Sequence, residues 1–157
     1  MKKLILLAAL YCLLPGLYAS TIKSSAYDKT PVDASERAKA HFKANYGDAA
    51  DASWYKLDNN NNMYCIFHQG KAVERVFYNN RGSWQYTLSS YPASALDNSL
   101  RDLVLNSYES YRISYVNEIR SEFNEPVYII NIENDYYIKV IKVVGDDIEL
   151  QQSLNKG

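Results

Sequence analysis

The feature that most constrains this chain is that its two halves carry the same apolar pattern. Ala38, Phe42 and Tyr46 in the first half correspond to Leu100, Val104 and Tyr108 in the second, 62 positions on. Trp54 falls on Val116 at the same offset. Met63, Cys65 and Phe67 then fall on Tyr128, Ile130 and Ile132, and Val76 on Ile141, all 65 positions on. A duplicated unit of helix and strands builds one scaffold around a shared sheet surface. The alternative is two unrelated α+β halves of similar rhythm. On the duplication reading the fold class is α+β: a tandem repeat of a helix plus an antiparallel four-stranded meander, with the helices on one face of a curved sheet. The repeats would span 32–88 and 89–157 of a single domain.

The first 19 residues read as a signal peptide. Lys2 and Lys3 form a basic start, and Leu4 to Leu14 is an apolar run too short to span a bilayer. Pro15 and Gly16 break it, and Ala19 and Ser20 offer small residues for cleavage. The expectation is a bacterial periplasmic or secreted protein with no membrane span in the mature chain. Residues 20–31 are polar and aperiodic, so they read as a flexible N-terminal segment. Without the leader, 15 basic residues face 18 acidic ones. That balance offers no electrostatic footprint for nucleic acid. One cysteine, Cys65, would remain, and a lone cysteine makes no internal disulfide.

The order of elements follows from periodicity and turn chemistry. Asp33 and Glu36 have capping-box spacing ahead of Ala34, Ala38, Phe42 and Tyr46, which recur at helical spacing. Gly47 stands where a helix would end. Alternating segments follow at Ser53–Leu57, Met63–His68, Lys71–Tyr78 and Ser83–Leu88, separated by Asn- and Gly-rich turns. The second half has Asp97 as a cap, a stripe of Leu100, Leu103, Val104 and Tyr108, then strands at Arg112–Arg120, Val127–Glu133, Tyr136–Val144 and Asp147–Gln152. Pro126 suits a strand start or an edge.

Strand alternation separates two faces. A three-residue loop ending in Gly82 would pair Tyr78 with Trp84 and Val76 with Tyr86. Those four share a helix-side face with Met63, Cys65 and Phe67. The other face carries Tyr64, Ile66, His68, Val73, Arg75, Phe77 and Gln85. Glu74 and Lys139 fall on the helix side, where they require an edge position, a partner or a register shifted by one. The candidate partner-binding residues are Tyr64, Ile66, His68, Arg75 and Phe77, since aromatic and arginine anchors on a rigid sheet are what protein interfaces favour. The 15 tyrosines fit either a recognition surface or simple strand preference.

No catalytic constellation accompanies this pattern. His41 and His68 are the only histidines, and no Cys/His spacing suits zinc. Cys65 and His68 are three apart in a strand and so point to opposite faces. No serine stands in a nucleophile elbow and no glycine loop suits phosphate. The expectation is therefore no cofactor, no metal and no enzyme.

From Phe77 to Trp84, the run Phe77-Tyr78-Asn79-Asn80-Arg81-Gly82-Ser83-Trp84 resembles the aromatic-Asp-x-x-Gly-x-Trp hairpin of PepSY-like exported proteins of Bacteroidetes-type bacteria. The Tyr46 to Trp54 spacing, and Leu96 to Tyr111 with its Tyr-x-x-Tyr ending, resemble the same family. Asn79 stands where that family has an acid, and Leu96-Asp97 where it has Leu-Pro. The resemblance implies a fold like that of the β-lactamase-inhibitor proteins, in which the open sheet face grips a partner. It carries over no functional residues. The function expected is a non-enzymatic exported binding protein, inhibitor-like, with a protein partner. The alternative is a small-ligand module or cryptic enzyme with a pocket between helix and sheet, and a third reading is a structural component of an envelope complex.

Overall fold

The computed structural model describes residues 30–57 and 60–157. The expected signal peptide (1–19) and most of the expected N-terminal segment lie outside the described residues. Helix α1 (Glu36–Tyr46) precedes strands β1 (Ser53–Lys56), β2 (Met63–Gln69), β3 (Ala72–Tyr78) and β4 (Trp84–Pro92). A short 3-10 turn (Ala93–Ala95) leads to α2 (Asn98–Ser107), then to β5 (Arg112–Ser121), β6 (Asn124–Glu133), β7 (Tyr137–Val144) and β8 (Asp147–Asn155).

The expected tandem repeat of helix plus four-stranded meander does not hold. The strands form one eight-stranded antiparallel sheet in the order β1 to β8. β4 and β5 pair over seven residues, from Tyr86↔Ser121 to Pro92↔Tyr115. That junction is a full ladder, and the expected boundary between residues 88 and 89 falls inside β4. A strand has two hydrogen-bonding edges, and β4 uses both, one toward β3 and one toward β5.

Both helices pack on the same sheet face, over different cores. Under α1, Ala38 and Phe42 meet Met63, Cys65, Phe67, Val76 and Tyr78, flanked by Trp54 and Trp84. Under α2, Val104 meets Val116, Ile130, Ile132, Ile141 and Val143. Cys65 is wholly buried, and burial pushes its thiol pKa up to about 12. That makes it a core residue and a poor nucleophile.

The cap of α1 differs from expectation. Ser35, not Asp33, accepts the Ala38 N–H at 3.3 Å. Asp33 instead pairs with Lys39 at 2.9 Å. The β3–β4 hairpin explains the position of Ser35. Gly82 has φ +73°, and a Cβ there would lie 2.2 Å from Ser35 Oγ. Only glycine supplies both the left-handed turn and the close approach beneath the helix start. Asp97 caps α2 as expected, accepting the Ser99 N–H at 2.8 Å. Pro126 sits beside an irregularity of the β5–β6 pairing, between Ile119↔Val127 and Ser121↔Asn124. Its missing N–H costs least where the ladder is interrupted.

Register is corrected at one place. Tyr78 pairs with Trp84 as expected, but Val76 pairs with Thr87, and Phe77 with Tyr86. A bulge at Phe77/Tyr78 leaves Gln85 out of the ladder. Its amide donates locally to the Trp84 carbonyl at 3.0 Å. The extra residue moves Tyr86 to the face opposite the helices, because one inserted residue inverts the alternation beyond it. Glu74 stays on the helix side, 4% exposed, and accepts from Ser89 Oγ at 2.6 Å, with Arg120 Nη2 3.8 Å away. Lys139 lays its ammonium over the rings of Tyr111 and Tyr108, 4.7 and 5.3 Å from their centroids. Of the three ways to accommodate these two charges, pairing is the one used.

Candidate binding face

The pairing registers assemble the face opposite the helices row by row. One row is aromatic: Tyr55, Tyr64, Phe77 and Tyr86 stand on β1 to β4 as successive cross-strand partners. Their ring centroids are 5.5, 5.7 and 4.3 Å apart in that order, in tilted to stacked contacts. The next row crosses six strands without interruption: Ile66, Arg75, Leu88, Ile119, Val127 and Val144. The row after that is more polar: His68, Val73, Ser90, Asn117, Ile129 and Lys142. Both helices lie on the other side, so among the described residues no helix covers these rows.

All five candidate residues fall on this face. Tyr64 and Phe77 are direct partners, and so are Ile66 and Arg75. Tyr64 and Phe77 are 3% and 2% exposed, whereas Ile66 and Arg75 are half-buried and His68 is exposed. Arg75 Nη1 donates to Ser90 Oγ at 3.3 Å, and Ser90 Oγ donates to Asn117 Oδ1 at 2.8 Å. This chain of polar contacts ties the Arg75 guanidinium to β4 and, through Ser90, to β5. His68 Nδ1 donates to Asp51 Oδ2 at 2.6 Å, and the His68 backbone N–H reaches the same oxygen at 3.0 Å. Those bonds hold the Asp51 carboxyl below the usual carboxylate range and tie the loop before β1 to the end of β2.

Sequence reasoning missed the larger part of the face. Tyr55 was legible as an alternating strand residue. Tyr86 was hidden by the bulge. Leu88, Ile119, Val127 and Val144 join the row only through the β4–β5, β5–β6 and β6–β7 pairings, which link residues far apart in the chain.

The helix side holds a second feature, a polar seam between the two cores. Ser89 Oγ donates to Glu74 and receives Arg120 Nη2 at 3.0 Å. Arg120 Nε lies 3.4 Å from Glu118, whose other oxygen accepts from the Tyr91 hydroxyl at 2.9 Å. Burial and the adjacent Glu118 both push the Tyr91 hydroxyl pKa up, burial more. A cleft of about 350 Å³ opens over these groups beside the start of α2. His41 lines a different cleft, with Arg37, Trp84 and Glu122. Its ring is engaged there, with Nδ1 3.0 Å from the Tyr78 hydroxyl and its plane stacked on Trp84. Cys65 points to the helix side and His68 away from it, so the two form no couple. Among the described residues no three His, Cys, Asp or Glu side chains converge as metal ligands.

The architecture is that of an antiparallel sheet with both helices on one face and, among the described residues, no helix on the other. Solved structures of the same fold come from Bacteroides. A DUF2874 family protein from Bacteroides ovatus superposes with a TM-score of 0.61 at 16% identity, covering 79% of this chain and 89% of that one. A BLIP-like protein from Bacteroides fragilis gives 0.59 at 12% identity, covering 80% and 88%. A protein from Bacteroides eggerthii, whose name places it provisionally in the periplasm, gives 0.59 at 13% identity, covering 79% and 90%. At these identities the likeness is one of fold. None of the three names is PepSY-like, and none is that of an enzyme. No known family's sequence profile matches the chain, and no curated protein does. Among the described residues no helix is long and apolar enough to cross a membrane.

Proposed function

We infer that this chain is an exported, non-enzymatic binding protein that engages a protein partner through the sheet face opposite its helices. The observation that carries the reading is the uninterrupted row from Ile66 to Val144, apolar at every position but Arg75. Each member of the row is half-buried, so together they offer a partner a continuous, shallow apolar strip. An arginine held by a hydrogen bond within such a row is a common interface anchor. The inhibitor-like refinement draws on the PepSY-like hairpin motif and on the BLIP-like name of one fold neighbour. Export draws on the leader-like first 19 residues and on the periplasmic name of another neighbour.

Within this reading the five candidates form one corner of the contact surface. Ile66, Arg75 and His68 would touch the partner, while the more deeply buried Tyr64 and Phe77 would set the shape beneath it. The test is affinity capture from periplasmic extract with the wild type and an I66D/R75E variant. The expected result is a partner retained by the wild type and lost by the variant, with thermal unfolding shifted by only a few degrees. Equal capture by both proteins would sink the assignment of the face.

A further inference from the structure

The two edges of the sheet are finished differently. β1 is four residues long, and the preceding segment covers it: the Val32 N–H donates to the Trp54 carbonyl at 3.1 Å, and the Lys56 N–H to the Thr30 carbonyl at 2.9 Å. Pro31, between them, has no N–H to offer a further strand. β8 is nine residues long, contains no proline, and pairs only with β7 among the described residues. Alternate N–H and C=O groups of β8 therefore face outward, as a template for another strand. A bulge at Gln151 is the one irregularity along it. Large exposed apolar side chains flank this edge on both faces of the sheet, Leu150 opposite Ile141 on the helix side and Leu154 opposite Ile138 on the other. Of the six among the described residues, Tyr137, Leu150 and Leu154 belong to β7 and β8, both leucines 48% exposed, and Tyr136 immediately precedes β7.

We propose that β8 is a homodimerisation edge, pairing antiparallel with β8 of a second copy to join two sheets into one. The charge pattern selects this occupant. β8 opens with Asp147 and Glu149, has no charge from Leu150 to Asn155, and is followed by Lys156. Antiparallel self-pairing sets the acidic start of each strand beside the basic end of the other, twice per interface. A parallel pair would align like charges instead. Within the chain, Glu149 lies 3.8 Å from Lys142 on β7, and Lys156 lies 2.8 Å from Glu133 on β6, so the second copy would set a further opposite charge beside each pair. A two-fold interface of this kind is closed, so it ends at a dimer.

Sedimentation of the mature chain from low micromolar concentration upward tests the proposal. The expected result is a monomer–dimer equilibrium. L150K/L154K should raise the dimer dissociation constant by about a hundredfold, through lost apolar contact and added like charge. Its monomer should unfold at nearly the wild-type temperature, since both sites are surface positions. E149K and K156E should each dimerise more weakly than wild type alone, and form a heterodimer when mixed, because mixing restores opposite charges at both ends. A wild type that stays monomeric overturns the proposal. So does a dimer unaffected by L150K/L154K, and so does a mixture that forms no heterodimer. None of these readouts depends on the partner face, so the two readings fail separately.

Discussion

The cores under the two helices are built from different materials. Under α1 the packing is aromatic. Phe42 contacts Tyr46, Trp54 and Phe67 at 5.1–5.5 Å between centroids, and Trp54 meets Tyr78 at 5.4 Å. Under α2 the fully buried centre is aliphatic, made of Val104, Val116, Ile130, Ile132, Ile141 and Val143, with Tyr91 and partly buried tyrosines at its margin. The difference teaches that one continuous sheet can seat two helices over cores of unlike chemistry. Aromatic rings add specific geometry to the area they bury. Branched aliphatics fill a pleated surface densely with little rotamer freedom to lose. Between the two lies the seam of Glu74, Ser89, Glu118 and Arg120, where helix-side strand residues are polar and bond to one another.

The strongest way to break the comparison is to empty the aromatic core. Phe42→Ala should cost about 3–5 kcal/mol, measured by urea unfolding, because its ring touches aromatic neighbours on three sides that cannot close the gap. Ile130→Ala in the aliphatic core should cost about 2–5 kcal/mol. It also sharpens the picture of a single sheet. Both tryptophans of the chain lie at the first core and none at the second. If the sheet unfolds as one unit, tryptophan fluorescence should report the Ile130→Ala midpoint shift in full, coincident with circular dichroism. A fluorescence transition left at the wild-type midpoint would mean that the halves unfold separately.

Ser89→Ala probes the seam. It removes the hydroxyl donor to buried Glu74 and should cost about 1–3 kcal/mol in the same urea assay. A loss no larger than that of an exposed serine would show that Arg120 alone satisfies the carboxylate. The smallest expected effect is a pH slope from His41. Burial against Tyr78 and Trp84 lowers its pKa, because the charged form is disfavoured there. The folded chain then binds fewer protons at this site than the unfolded chain. Its contribution is present above the ordinary histidine value of about 6.5 and declines as pH falls below it. His41→Gln should flatten that part of the stability profile between pH 7 and 5. An unchanged slope would assign the pH dependence to other groups.

Much of this molecule was legible locally. Helix and strand identities followed from spacing, and the Gly82 hairpin followed from turn chemistry, because each depends on neighbours a few residues away. The candidate face was legible in part for the same reason. Tyr64, Ile66, His68, Arg75 and Phe77 alternate within two adjacent strands joined by a tight turn, so their common side could be counted. The helix start was misplaced because Ser35 and Asp33 are both competent caps, and contact with the Gly82 hairpin favours Ser35. Tyr86 was assigned to the wrong side because a bulge leaves no mark in an alternating pattern.

By itself, the sequence determined the order of elements, the turns and the apolar side of β2 and β3, since those are short-range consequences of propensity and periodicity. Only the tertiary structure decided that β4 pairs with β5, so that the chain is one eight-stranded sheet and not two repeats. It alone brought Arg120 to Glu74 and aligned Ile66 with Val144 across six strands. The reason is physical. Ladder pairing is a competition among edges distant in the chain, settled by burial and hydrogen bonding over the whole sheet, and no window of local sequence contains both competitors.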